Sequence, residues 1–141
     1  MEKAEKFQFL PHTADVAVLV RGKSLQDLFA NGALALYSVL IDPSQVRDTV
    51  SMEIDIEAPE LESLFVDWLN ELLFLFECEG MLYSRLDLRE LSESRLRGVI
   101  WGEKLDASRH RVKTGVKAAT YHDLEVGRVG DEWLARVVLD V

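Results

Sequence analysis

The segment ELESLFVDWLNELLFLFECEG, directly after Pro59, constrains the fold of this 141-residue chain more than any other. Leu61, Leu64, Phe65, Trp68, Leu69, Leu72 and Phe76 recur at the helical period and make one wide apolar stripe. The width of the stripe places this helix at the centre of the core, and Gly80 marks its end. Its aromatic residues read as core rather than as a cofactor pocket.

The elements around it follow from the remaining periodicities. Leu25, Leu28, Phe29, Leu36 and Leu40 predict a helix over 25–40, with Ser24 as N-cap and Asp42-Pro43 blocking continuation. In TVSMEIDIEAP, Val50, Met52, Ile54 and Ile56 alternate with polar residues, which predicts a strand with one buried face. An apolar run after Asp15 predicts another. Past Gly80 no helical period survives; apolar runs at 81–88, 96–101, 112–120 and 133–141, with turn signals at Gly102, Gly127 and Gly130-Asp131, predict antiparallel sheet. The expected fold is therefore α+β, one domain over 1–141, with an antiparallel sheet wrapped around two helices and a loose internal duplication of pattern.

Charge narrows the ligands. Sixteen Lys and Arg against 25 Asp and Glu leave a net charge of -9, which repels phosphate backbones and suits a basic protein or a metal cation. Cys78, the single cysteine, excludes an internal disulfide and a cysteine-rich zinc site and fits a reducing cytoplasm. No signal segment or membrane span is read, so a cytoplasmic location away from membranes is expected. GxGxxG, Walker, HExxH, CxxC and GxSxG signatures are absent.

Three short segments carry candidate chemistry. In LPHTADVAVLV, Asp15 is a hard oxygen donor for a divalent cation and His12 a neighbouring donor, proton carrier or ligand, although PHTAD is also a good turn. In WLARVVLDV, Asp140 ends an apolar strand beside Val141; if Val141 is the natural terminus, its carboxylate adds a second negative group whose repulsion a cation would remove. In KAATYH, alternation sets Lys117, Ala119 and Tyr121 on one face and Ala118, Thr120 and His122 on the other. The basic run SRHRVK around His110 reads as a solvated hairpin edge.

Together, in this order, LPHTADVAV, KAATYHDLEV and EWLARVVLDV resemble the archease family, protein cofactors of the GTP-dependent RNA-splicing ligase. The resemblance covers essentially the whole chain. It implies strand-helix-strand-strand modules and an activator, not an enzyme, that promotes guanylylation of the ligase histidine and repeated turnover in tRNA splicing, touching RNA only through the ligase. It implies a divalent metal, calcium first with magnesium or manganese as alternatives, at Asp15, Asp140 and Val141. His12, Lys117, Tyr121 and His122 match recurrent family positions. Two other readings stand beside it. One is a small metal-dependent hydrolase with His12 or His122 as general base, and the other a chaperone-like interaction module for RNA-modifying enzymes.

Overall fold

A computed structural model describes residues 5–11, 15–42 and 46–141. The chain runs β1 (Phe7–Leu10), β2 (Val16–Gly22), α1 (Leu25–Leu40), β3 (Val50–Glu57), α2 (Leu61–Glu79), β4 (Met81–Leu91), β5 (Arg95–Lys104), β6 (Ala118–Val129) and β7 (Glu132–Asp140). All pairings are antiparallel, in two sheets ordered β1-β2-β7-β6 and β3-β5-β4. The expected α+β fold holds, with the sheet divided in two.

The division reveals the duplication. β3, α2, β4 and β5 form a strand-helix-strand-strand unit whose sheet order is first, last, middle. β2, α1, β6 and β7 repeat that order, with the first unit inserted between α1 and β6. Outside the repeat lies β1, a short edge strand that is not among those predicted above.

Each helix packs on strands of both sheets. α1 lies chiefly on β2 and β4, and α2 on β6 with contacts to β3, β4 and β5. This is why the apolar stripe of α2 is so wide: Leu64, Phe65, Trp68 and Leu72 are fully buried. Trp68 donates its indole N–H to the Phe29 carbonyl (2.8 Å), so the ring is buried without an orphaned donor. The two helices approach closely at Gly32, where a Cβ would lie 2.9 Å from the Phe65 ring; the space is filled by Phe65 stacked edge-on to Phe29 (centroids 5.3 Å apart). α2 ends on Gly80 in the left-handed conformation (φ 64°).

One predicted strand is different. In 112–120, only the stretch from Ala118 is strand; the preceding residues cover the end of α1. The last four carbonyls of a helix lack intrahelical partners. Here Tyr37 O accepts from Ile41 N–H, Ser38 O from Lys113 Nζ, Val39 O from Thr114 N–H and Leu40 O from Lys113 N–H. Capping a helix end required this extended backbone more than a sheet did. The Asp42-Pro43 stop falls partly outside the described residues.

His110 is also not where a solvated edge would put it. It is 2% exposed, and its Nδ1 accepts from the Asp106 N–H (3.0 Å), which leaves the proton on Nε2 to donate to Glu103 Oε1 (2.7 Å). Arg109 Nη1 lies 2.9 Å from Glu103 Oε2. The Arg109 hydrogen bond, followed by those of His110 and the Arg47 backbone, holds the Glu103 carboxyl down at about 2, against burial, which raises it. The sequence around SRHRVK showed the charges but not their buried partner.

Two outcomes follow. Since Glu103 is more acidic in the fold than its ordinary 4.5, its stabilisation is complete above that value and is lost as pH falls from about 4.5 toward about 2. Thermal unfolding followed over this range should drop more steeply for the native chain than for Glu103→Gln, which starts lower. Replacing Trp68 by Ala empties a fully buried site and should cost about 3–5 kcal/mol in denaturant unfolding.

Candidate functional site

β7 lies between β2 and β6, so its last residues are held from both sides. Ala135, Val137 and Leu139 face the core, which leaves Arg136, Val138 and Asp140 on the opposite face of the sheet. On the β2 side the final pair is Val16 with Leu139, so Asp15 and Asp140 are the next residues on two neighbouring strands. On the β6 side Ala118 pairs with Asp140, and the Lys117 N–H donates to the Asp140 carbonyl (2.7 Å). Asp15, Asp140 and Val141 are all half-buried there, and Val141 packs against the core.

This end of the sheet collects oxygen donors. Carboxylates are hard ligands that suit calcium, magnesium or manganese better than softer ions, so the residue types fit the cation expected from the sequence. Among the described residues, no three His, Cys, Asp or Glu side chains group as a metal cage. Two carboxylates make an incomplete shell, so a cation at Asp15 and Asp140 would need water or a partner's groups as further ligands. His12 lies outside the described residues.

KAATYH departs from simple alternation. Ala118, Ala119 and Thr120 pair with Asp140, Leu139 and Val138, and the ladder resumes only at Glu125 with Arg136. Residues 121–124 thus form a bulge opposite the single residue Val137, with Asp123 at a φ of 52°. Such bulges and left-handed non-glycine residues gather at functional sites. The bulge carries Tyr121 and His122 to the surface, with Tyr121 58% exposed. Asp123 Oδ2 lies 3.4 Å from His122 Nε2 and 3.7 Å from Arg136 Nη1. Partial desolvation, then the charges of Asp67 and Glu60, push the Tyr121 hydroxyl above its ordinary value.

Sequence reasoning missed Asn70. From the middle of α2 its Oδ1 accepts the Ala119 N–H (2.8 Å) and its Nδ2 donates to the Ala119 carbonyl (3.1 Å). One side-chain amide thereby replaces the strand that edge strand β6 lacks. Asn has poor helix propensity, but Ser63 and Asp67 in the same helix share it, so nothing in the sequence singled out Asn70.

The fold and this sheet end define a class: a small α+β domain of one strand-helix-strand-strand unit inserted in another, with two acids closing adjacent strands. The Archease protein family matches residues 7–141. Protein archease of Methanosarcina acetivorans is 37% identical over 99% of this chain and 98% of its own length. That of Methanopyrus kandleri is 38% identical, covering 94% and 96%. Among solved structures, the solution structure of Methanobacterium thermoautotrophicum protein 1598 is similar with a TM-score of 0.79 and 33% identity, covering 96% of this chain and 99% of that one. The crystal structure of a Thermotoga maritima archease, described as a possible chaperone, gives 0.67 and 28%, covering 100% and 98%. The chain belongs to the archease family.

The strained bulge gives a substitution test. Asn tolerates the left-handed region nearly as well as Asp, so Asp123→Asn should stay within about 0.5 kcal/mol of the parent, whereas Asp123→Val should cost about 1–3 kcal/mol. Urea unfolding of the two variants checks this.

Proposed function

We propose that this archease is a protein cofactor, not an enzyme, of the GTP-dependent RNA-splicing ligase, promoting guanylylation of the ligase histidine and repeated turnover in tRNA splicing and RNA repair. Family membership supports this reading. The observation that carries it to particular residues is the β2–β7 register, which brings Asp15 and Asp140 to one sheet end. In this reading Asp15, Asp140 and Val141 hold a divalent cation, calcium first, with magnesium or manganese as alternatives. The cation supplies a positive charge that offsets the repulsion of adjacent carboxylates and can bridge to a partner's oxygen ligands. The chain's own residues orient it: β7 is locked between two strands, and Lys117 ties the Asp140 backbone.

Net charge supports a division of labour. A chain at -9 does not compete for RNA, but it can dock beside a basic RNA-binding site. RNA is contacted through the ligase alone, in the cytoplasm. Among the described residues no helix is long and apolar enough to cross a membrane.

A chaperone-like interaction module is the second reading, favoured by the description of the Thermotoga relative and by the exposed Phe74 and Tyr121. Ligase guanylylation followed over time separates the two. Asp15→Ala and Asp140→Ala should each abolish most of the stimulation, as should a chelator; undiminished stimulation by both variants sinks the metal-dependent reading. Magnesium or calcium added to the isolated chain should raise its melting temperature, and less so in either variant.

A further inference from the structure

The segment flanking Asp140 is short and cut off. Ala118, Ala119 and Thr120 make three rungs with β7, and the four-residue bulge then separates them from the rest of β6. Three rungs on an edge strand hold weakly alone. Within the sheet, Thr120 Oγ1 on the Val138 carbonyl (3.0 Å) and Lys117 N–H on the Asp140 carbonyl (2.7 Å) add to them. From outside the sheet, Asn70 grips both polar groups of the Ala119 backbone.

We infer that Asn70 is a positioning residue for the Asp140 end of the sheet. Its amide docks the Ala118–Thr120 rungs on α2, and these rungs keep Asp140 an interior residue instead of a fraying edge. The inference rests on the metal reading above and extends it to a residue that touches no ligand. The contact needs one donor and one acceptor on a single side-chain amide, which Asn70 supplies. An aspartate in its place would set a second acceptor against the Ala119 carbonyl, and an alanine would leave both backbone groups without their partner. The α2 position matters as well. Trp68 and Leu69 beside it are at most 1% exposed, so the amide projects from a helix anchored in the core.

Calcium calorimetry on the full chain, with amide exchange at Ala119, tests the inference. Asn70→Ala and Asn70→Asp should weaken calcium binding by about tenfold or more, the loss typical when a residue supporting metal ligands is removed, and should speed exchange of the Ala119 amide. Leu96→Ala, a fully buried truncation on β5, controls for general destabilisation and should leave calcium affinity within about twofold. If the native chain binds calcium and the Asn70 variants bind it equally well, the positioning role is wrong and the metal reading survives. If the native chain binds no calcium, magnesium or manganese, both fall.

Discussion

Everything in this molecule is arranged around a helix that one sheet cannot cover. α2 buries a stripe wider than one sheet face, so a single layer of strands would leave part of its apolar surface in water. The chain meets this by building two antiparallel sheets and placing both helices against strands of each. The Trp68 hydrogen bond to Phe29 and the Phe65 ring over Gly32 are the local forms of that constraint, because each couples α2 to α1 where no strand intervenes.

Insertion of one strand-helix-strand-strand unit into another has a mechanical consequence. The inner unit lies in sequence between the two parts of the outer one, so β6 and β7 return across it to pair with β2 near the start of the chain. The connecting segment before β6 works on the way. Lys113 and Thr114 satisfy the open end of α1, and Arg109 and His110 fold onto Glu103 at the end of β5. Irregular backbone there is bound at both units, which is how a long connection stays ordered without being strand.

The same closure brings together residues from the two ends of the chain. Asp15 comes from the start of β2 and Asp140 from the end of β7, and the register between these strands makes them neighbours. Beside them β6 is interrupted by a bulge with a left-handed Asp123, and Asn70 holds its short first part. Strain and edge exposure are thus concentrated next to the acids, while α2, packed against β6, is anchored in the core by Leu64, Phe65, Trp68 and Leu72. A rigid support beside a locally irregular strand is the arrangement by which a surface site keeps its shape.

Periodicity alone determined where both helices lie: 25–40 was legible from its apolar spacing, the Ser24 cap and the Asp42-Pro43 stop, and α2 from its stripe and Gly80. These are local properties, settled within a few turns of backbone. The acids Asp15 and Asp140 were legible as residues, through motifs, but their adjacency was not, since nearly the whole chain lies between them and only sheet register bridges it. Tertiary structure alone decided the division into two sheets, the burial of His110 on Glu103, the bulge at Tyr121 and the role of Asn70. Each of those depends on a hydrogen-bond partner outside the local turn of chain, and single-residue preference carries no record of which group arrives.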